Sequence, residues 1–345
     1  MQTKAILRSS KTLIFNFVLL FLFARAAAQP PVVATSAFDF LTTEEGATLT
    51  LELDLTDLIN NKNTKTYFPG SLTTADGKMM KVEARARGKF RRRVCDVPPL
   101  KLKFSKKELR ARGLDTLNEI KLVVPCFNEP RGEELLLREY VAYRMYERLS
   151  PYSVRARLVK VIFRDKHVEE ATRPVYCLLV EHEEQVAARL KGKIVQEYGL
   201  QADSLQAEQG ALTALFEYMI GNTDWSLADA RNVYLFKSAP AAKINLIPYD
   251  FDFAGLVNAP YAVPNADTGL KNVRERRLLA KGIPGTALRQ AAEQFKAAQA
   301  DLLAMCTASY LSKNTSKYLT NYIESFFQNI DNLPIEPEKA KGNLR

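Results

Sequence analysis

The sequence predicts an α+β protein with a sheet-rich first lobe over residues 29–182 and a helical second lobe over residues 183–333. Two observations lead to this prediction. Apolar and polar residues alternate through much of the first half, whereas apolar residues recur at helical spacing in the second half. Because the two patterns are segregated along the chain, we expect two packed lobes with a cleft between them.

Period-two alternation indicates half-buried antiparallel strands in the first lobe. The segments interpreted as strands are 47–55, 81–90, 100–104, 118–124, 154–163 and 173–181. A helix is predicted between them at residues 133–149, where Leu137, Tyr140, Val141 and Met145 share one face.

Helical patterns dominate the second lobe. Residues 206–220 carry apolar side chains on one face and stop at Gly221, a residue favoured just after helix ends. The elements predicted after it are strands at 232–236 and 244–248, helices at 286–310 and 316–330, and a polar tail at 334–345.

The first 28 residues predict export. Basic residues precede an apolar run at 13–23, and small residues follow it up to Ala28, as in a cleaved secretory signal peptide. We therefore expect a secreted or periplasmic protein that is not embedded in a membrane. Four of the ten units of net positive charge lie in this segment, so the mature chain retains a moderate positive excess of about +6, which suggests anionic ligands.

Four cysteines occur in this chain, and disulfides persist in exported proteins. Cys95 and Cys126 each border a predicted strand beside a proline-containing turn, so we expect these two to pair first. Cys177 and Cys306 lie in apolar segments and are expected to be buried thiols. Their spacing and the presence of only two histidines argue against a zinc knuckle or a histidine-rich metal site.

The chemistry predicted for the chain concentrates in two segments of the second lobe. Asp224 follows the helix stop, Asn232 opens a strand, and Asp250 closes the next one, so a short hairpin would bring the three together. Carboxylate and amide oxygens suit magnesium, and a further carboxylate would orient or deprotonate a hydroxyl group. Asp252 is a possible second metal ligand on the same side of an extended segment. The alternative is that Asp224 and Asn232 cap loops and that Asp250 and Asp252 lie at a solvated strand end.

Cationic side chains line one face of two strands in the first lobe. Arg85, Arg87 and Lys89 alternate with small apolar residues, and Lys101 and Lys103 share a face of the next strand. Either set would neutralise the phosphates of a nucleotide. From the two sets we select Arg87, Lys101 and Lys103 as the candidate ligands. The alternative is a solvated face.

Two glutamates complete the candidate set. Glu139 on the first-lobe helix would pair with Lys101 or Lys103, as kinases position their phosphate-binding lysine, although a solvated helix face explains it equally well. Glu181 ends an apolar strand, where it would either enter the cleft or form a strand-terminal salt bridge.

The combination of these motifs resembles the spore coat protein H-type atypical kinases. The similar segments are 85–88 with its Arg-Gly step, 100–104 with its two lysines, 137–140 on the helix, and 176–181 ending in glutamate. The resemblance implies a two-lobed, atypical protein-kinase-like fold. It also implies that Asp224 is the catalytic aspartate and that Asn232 and Asp250 bind metal. Neither a Gly-rich phosphate loop nor a His-Arg-Asp triplet is present.

Two functions from different classes remain open at this point. The first is an exported kinase that uses ATP and Mg²⁺, or Mn²⁺, to phosphorylate a protein hydroxyl group. The second is a non-catalytic secreted scaffold, or pseudokinase, that recognises an anionic partner through the basic strands. Nucleic acid is not an expected partner, since the positive charge lacks interleaved exposed aromatic residues.

Overall fold

The computed structural model of the protein describes residues 34–335, and seven of its strands close into a barrel. The barrel strands are β1 (Ala47–Leu53), β2 (Phe68–Thr74), β3 (Met79–Ala86), β4 (Leu100–Phe104), β5 (Glu119–Val123), β6 (Ala156–Asp165) and β7 (Val175–Glu181). Around the barrel they follow the order β1-β2-β3-β4-β5-β7-β6. Neighbouring strands are antiparallel except β1 and β6, which are parallel and close the ring.

The alternating pattern of each strand fills the barrel with apolar side chains. Leu51, Leu100 and Leu102 are fully buried in this core. Because successive side chains of a strand point to opposite faces, Lys101 and Lys103 lie on the outside of the barrel. The pattern therefore both builds the core and leaves a row of cations outside it.

The prediction of a two-lobed, protein-kinase-like fold with an antiparallel sheet-rich first lobe is wrong, because the sheet closes into a barrel through a parallel pair of strands. β1 pairs in parallel with β6 from Ala47 opposite Val159 to Leu53 opposite Asp165, so neither strand is a free edge. Strand β2, which begins Phe-Pro-Gly, was not predicted, and the ring needs it. Alternation indicates which side chains face inwards, but a parallel pair between distant segments leaves no local signal.

Nine α-helices accompany the strands in the described part of the chain. They are α1 (Ala37–Leu41), α2 (Leu55–Asn60), α3 (Arg91–Val94), α4 (Lys106–Ala111), α5 (Pro130–Leu149), α6 (Glu183–Arg189), α7 (Ala207–Ile220), α8 (Gly285–Met305) and α9 (Lys313–Phe327). Helix α5, predicted at 133–149, begins earlier because Pro130 occupies its first turn. It packs against β6, β7 and α8, and so joins the barrel to the later helices.

A second, three-stranded sheet lies beyond the barrel. It contains β8 (Lys193–Val195), β9 (Val233–Lys237) and β10 (Asn245–Pro248), in the order β10-β9-β8. Strands β9 and β10 form the predicted antiparallel hairpin, with Val233 opposite Pro248. Helix α7 packs against β10, so the end of the helix and the ends of both strands come together.

The cysteine predictions are confirmed. Cys95 and Cys126 form a disulfide, whereas Cys177 and Cys306 are free and buried. Among the described residues, no helix has both the length and the apolar character needed to cross a membrane. The predicted signal peptide at 1–28 and nearly all of the polar tail at 334–345 lie outside the described residues.

Candidate active site

The loop that follows α7 fixes the position of Asp224. Gly221 ends the helix in the left-handed conformation, at φ 68°, and a Cβ there would lie 2.1 Å from the Tyr322 hydroxyl oxygen, so only glycine fits. The next residue, Asn222, is buried, and its Oδ1 accepts a hydrogen bond from the backbone N–H of Asp224 at 2.9 Å. The carboxylate is therefore carried by a short, internally bonded loop.

Asn232 and Asp250 converge on this loop through the β9–β10 hairpin. Nδ2 of Asn232 donates to the backbone oxygen of Asp224 at 2.6 Å and to its Oδ2 at 3.0 Å. The backbone N–H of Tyr249 donates to the backbone oxygen of Asn232 at 3.0 Å. This bond holds the residue that follows Tyr249, Asp250, near Asn232. Both Asn232 and Asp250 have left-handed backbones, at φ 54° and 66°. Such strained positions cluster at functional sites.

Arg91 connects the Asp250 loop to the barrel side of the site. Its Nη2 lies 2.7 Å from Oδ1 of Asp250 and 3.1 Å from Oε1 of Glu139, and its Nε lies 2.8 Å from Oδ2 of Asp252. The side chains of Arg91, Glu139 and Asp252 are buried, whereas that of Asp250 is partly exposed, so one buried cation balances three carboxylates, two of them out of water. We define Arg91, Glu139, Asp250 and Asp252 as the carboxylate cluster.

The expectation that Glu139 pairs with Lys101 or Lys103 is wrong, because Glu139 binds Arg91 with both carboxylate oxygens. Arg91 is the first of three consecutive arginines, Arg91, Arg92 and Arg93. Arg91 differs from its neighbours because α3 turns its side chain inwards. The sequence contains no local signal for this burial, since it depends on how α3 sits on the barrel.

Asp252 is buried against Arg91 and Tyr261, whose hydroxyl group donates to Oδ2 of Asp252 at 3.0 Å. Burial raises the pKa of Asp252 to about 7, against the charge of Arg91. The assumption of an extended Asp250–Asp252 segment fails at Asp250, whose φ is positive. Among the described residues, Asp252 contacts Arg91 and Tyr261 and not Asp224 or Asn232.

Asp224 and Asp250 have opposite electrostatic surroundings. Burial raises the pKa of Asp224, the Arg231 guanidinium opposes this shift, and the Asp250 charge adds to it. Burial also tends to raise the pKa of Asp250, but the charges of Arg91, Arg87 and Lys121 outweigh it and lower that pKa. At neutral pH Asp250 is therefore an anion, whereas Asp224 holds a proton more readily than an ordinary aspartate.

Lys121 is a site residue that the sequence analysis missed. It lies on β5 directly across from Lys101, on the outer face of the barrel, where Tyr234 and Tyr249 cover it. Its Nζ donates to the Tyr234 hydroxyl group. Burial lowers the pKa of Lys121 to about 7, and the nearby charge of Arg87 acts in the same direction. Its position opposite Lys101 was the available signal.

Arg87 is the basic residue selected from the sequence that acts on Asp250, because its charge lowers the pKa of that carboxyl group. Lys101 is held by Glu119 at 2.6 Å and by Nε2 of His182 at 3.2 Å. Lys103 lies 3.7 Å from Glu83 and over the ring of Tyr67. These contacts of Lys101 and Lys103 lie outside the carboxylate cluster.

Glu181 is a structural residue, and the salt-bridge alternative is confirmed. Its side chain is fully buried, its Oε1 lies 2.6 Å from Nε of Arg155, and its Oε2 lies 2.8 Å from Nη2 of Arg189. The backbone N–H of Arg155 donates to the same carboxylate at 2.8 Å. A carboxylate enclosed in this way cannot contact a nucleotide in this conformation, so Glu181 is removed from the candidate ligand set.

The oxygen atoms at Asn232 and Asp250 fit a magnesium ion by their chemistry. In the described part of the chain, Oδ1 of Asn232 and Oδ2 of Asp250 have no protein hydrogen-bond partner, because Asn232 uses Nδ2 and Asp250 uses Oδ1. Amide and carboxylate oxygens are the hard ligands that magnesium prefers. These two atoms are therefore candidate metal ligands.

A second acidic group lies elsewhere on the barrel surface. Asp54, Asp165 and His167 bring three possible ligand atoms within 4.8 Å of one another. Protein partners already occupy these groups: His167 lies 3.1 Å from Asp54, and Asp165 accepts two hydrogen bonds from Thr56. The group is thus explained as a connection between β6 and α2.

Comparison with known proteins does not identify a family. The motifs that resemble the spore coat protein H-type kinases remain a prediction made from this sequence. Searches against protein-family models and against curated proteins both find no match for the chain.

Proposed function

We propose that the protein is an exported phosphotransferase that transfers a phosphoryl group from ATP to a protein hydroxyl group with the help of magnesium. One observation supports this proposal above the others. Asp224, Asn232 and Asp250 come from three different segments, at the ends of α7, β9 and β10; Asn232 donates to Asp224, and Tyr249, next to Asp250, donates to the backbone oxygen of Asn232. Kinases and related enzymes position an acceptor and a metal with this combination of side chains.

Asp224 is the proposed general base. Its carboxylate is partly exposed, so an acceptor hydroxyl group can reach it. Its direction is fixed by the hydrogen bond that its Oδ2 accepts from Asn232 and by the one that its backbone N–H donates to Oδ1 of Asn222. Its raised pKa makes it a better proton acceptor than an ordinary aspartate once it is ionised. Asp224 would accept the hydroxyl proton as the oxygen attacks the phosphoryl group.

Asn232 and Asp250 are the proposed metal ligands, through the two oxygens without protein partners. A bound magnesium ion would neutralise charge on the ATP phosphates. Asp250 is suited to this role because surrounding cations keep it ionised. Manganese, which accepts similar oxygen ligands, is a possible substitute.

Arg87 and Lys121 are the proposed phosphate contacts on the barrel side. Both are electrostatically coupled to Asp250, so they lie toward the metal ligands. A lysine with a pKa of about 7 is only partly charged in the free protein. An approaching phosphate would favour its charged form, so binding of the nucleotide and protonation of Lys121 would support each other.

The Arg91–Asp250 ion pair favours a second candidate function, a non-catalytic protein that binds an anionic partner. In this structure Arg91 neutralises the carboxylate that a metal ion would need. If that pair persists with ligand present, the basic outer face of the barrel remains the binding surface and no metal is held.

Label transfer tests the phosphotransferase proposal. Purified protein is incubated with labelled ATP and either magnesium or manganese, both alone and with hydroxyl-bearing protein acceptors. We expect transfer by the wild type and a loss of at least about a hundredfold in Asp224→Asn and Asp250→Asn. Asp229→Asn, an exposed carboxylate in the same loop, is the matched control and should retain activity. Equal transfer by all four proteins would rule out the assigned site.

Calorimetry separates the two candidate functions when no acceptor is phosphorylated. Magnesium-dependent ATP binding that disappears in Asp250→Asn supports the phosphotransferase. Binding of heparin, a polyanion, without any binding of ATP supports the anion-binding protein.

A further inference from the structure

A cavity lined by arginines lies on another face of α5, away from the carboxylate cluster. It is a cavity of about 560 Å³ between the first half of α5, the chain after β10 and helix α9. The lining residues that matter are Arg131, Glu134, Arg138, Asn258, Arg274 and Tyr318. We call this cavity the arginine pocket. None of these six residues belongs to the candidate active site.

The charge of the arginine pocket is unbalanced. Three arginines line it, whereas Glu134 is the only acidic residue among the lining residues. Within residues 34–335, none of the three arginines forms a salt bridge; Arg131 and Arg274 are exposed, and Arg138 is half-buried. Glu134 uses Oε1 to accept a hydrogen bond from Ser312 at 3.0 Å. The three guanidinium groups therefore share one lining carboxylate, that of Glu134, which acts on Arg138 without forming a salt bridge among the described residues.

The Arg138 side chain is held in place by two contacts, but not all of its N–H donors have a hydrogen-bond partner. Its guanidinium carbon lies 4.5 Å from the ring centroid of Tyr318, and its Nη1 donates to the backbone oxygen of Val257 at 3.3 Å. Its Nε is buried without any hydrogen-bond partner in the described structure. A stacked guanidinium with unused donors is prepared to bind an oxyanion in a forked arrangement.

Two further features favour an anion in this position. Helix α5 begins with Pro130, which has no N–H, and the N–H of Gly132 donates to the backbone oxygen of Glu129 at 2.8 Å, so the N–H of Arg131 is the first-turn donor left beside the pocket in the described structure. The positive end of a helix of this length attracts negative charge. Asn258, at φ 54°, carries a side-chain amide that adds a neutral donor.

We propose that the arginine pocket binds the phosphate group of a phosphomonoester. A dianionic tetrahedral oxyanion matches the two net positive charges of the lining and the forked geometry of its arginines. The cavity volume also leaves room for the group that carries the phosphate, of about the size of an amino acid or a sugar. This assignment does not depend on the proposed function, because it uses other residues and needs no metal ion.

Titration calorimetry in metal-free buffer at low ionic strength tests the proposal. The probes are inorganic phosphate, O-phosphoserine and glucose 6-phosphate. The ester that binds with higher affinity indicates whether the natural ligand is a phosphorylated protein side chain or a sugar phosphate. We expect Arg131→Ala and Arg274→Ala each to weaken binding by about tenfold or more. Both residues are exposed, so we expect these variants to fold, and their thermal unfolding midpoints check this.

Two control variants separate the arginine pocket from general electrostatics. Arg277→Ala removes an exposed arginine three positions beyond Arg274 and outside the pocket, and Arg110→Ala removes an exposed arginine of α4 that is also outside the pocket. Both should bind phosphate as the wild type does. The proposal is overturned when none of the probes binds at millimolar concentration. It is also overturned when either control loses as much affinity as Arg274→Ala.

Discussion

Arg91 donates a hydrogen bond from Nη2 to Oδ1 of Asp250 across 2.7 Å, which connects helix α3 on the barrel to the loop after β10. The same guanidinium group also contacts Glu139 and Asp252. One buried cation thus sets the electrostatic state of three carboxylates. The position and the charge of the proposed metal ligand both depend on it.

Replacement of Arg91 should destabilise the protein strongly. Arg91→Met leaves the carboxylate cluster without its cation, and removal of one partner from a buried ion pair costs about 3–5 kcal/mol. Because burial already raises the pKa values of Asp252 and Glu139, protonation at pH 5 should relieve part of this cost. Urea unfolding at pH 5 and pH 8 measures the difference.

Arg92→Met is the control for that experiment, because Arg92 is only half-buried and its side chain contacts only backbone carbonyl groups. We expect this variant to lose less than about 1 kcal/mol. A loss for Arg91→Met that is equally small, or that is larger at pH 5 than at pH 8, would contradict the assigned role of Arg91.

The Cys95–Cys126 disulfide should stabilise both the fold and the site. It closes a loop with a sequence separation of 31, and loss of a cross-link of this length costs about 3–4 kcal/mol through the entropy of the unfolded chain. Cys95 directly follows α3, so the double variant Cys95→Ser, Cys126→Ser should also loosen Arg91. Urea unfolding of this variant against the wild type gives the cost. Unchanged stability would show that the cross-link is dispensable.

The buried lysine makes stability depend on pH. Lys121 has a pKa of about 7 in the folded protein and an ordinary value of 10.5 when unfolded, so the unfolded chain binds more protons between these limits. Stability from this group therefore rises as pH increases from about 7 to about 10, with a slope of at most about 1.4 kcal/mol per pH unit. Lys121→Met keeps the packing against Tyr234 and Tyr249 but should remove this slope.

Urea unfolding at several pH values, compared between wild type and Lys121→Met, measures the contribution of Lys121. The difference in stability between the two proteins should favour the variant most at pH 7 and diminish toward pH 10. A difference that is independent of pH would show that Lys121 titrates normally.

The parts of the site that the sequence predicted depend on local chain geometry. Gly221 stops α7, and the hairpin that follows brings Asn232 to Asp224, both of which are readable from residue types and short spacings. Asp250 could be predicted beside them because it ends the second strand of that hairpin. For these residues, sequence neighbours determine spatial neighbours.

The parts that could not be predicted depend on contacts between distant segments. Arg91 and Glu139 are 48 positions apart, and Lys121 and Tyr234 are 113 positions apart. The parallel pairing of β1 with β6, which closes the barrel, has the same character. Alternation places a side chain inside or outside a sheet, but it does not identify the surface that later covers the outside. For this reason, alternation alone indicated Lys101 and Lys103 as phosphate ligands and missed Lys121.

Glu217 is expected to be neutral and to position Asp224 indirectly. It is fully buried; its Oε2 accepts from Nδ2 of Asn222 at 2.9 Å, and its Oε1 has no hydrogen-bond partner among the described residues. Burial raises its pKa well above the ordinary value, against the hydrogen bond from Asn222. The stability contribution of Glu217 is therefore largest at acid pH and declines as pH rises through that folded pKa.

Two variants separate charge from hydrogen bonding at Glu217. Glu217→Gln keeps an acceptor for Asn222 and should equal or exceed the wild type in stability at pH 7, with a smaller difference at pH 4. Glu217→Leu leaves the buried Asn222 amide unpaired and should cost about 1–3 kcal/mol. Thermal unfolding of both variants at the two pH values provides the measurement. A glutamine variant that is much less stable than wild type at pH 7 would indicate that Glu217 is ionised in the fold.

The pH profile of phosphoryl transfer should follow the ionisation of Asp224. As a base it works only when deprotonated, so kcat/KM should fall as pH decreases through a pKa above the ordinary 3.8 of an aspartate. The Nε atom of Arg231 lies 3.5 Å from Oδ1 of Asp224 and favours its ionised form. Arg231→Ala should therefore move the acid limb to higher pH, by about 0.2–0.7 units for a pair this exposed. Arg277→Ala should leave the limb unchanged, and a shift of the Arg231→Ala limb to lower pH would exclude Asp224 as the titrating base.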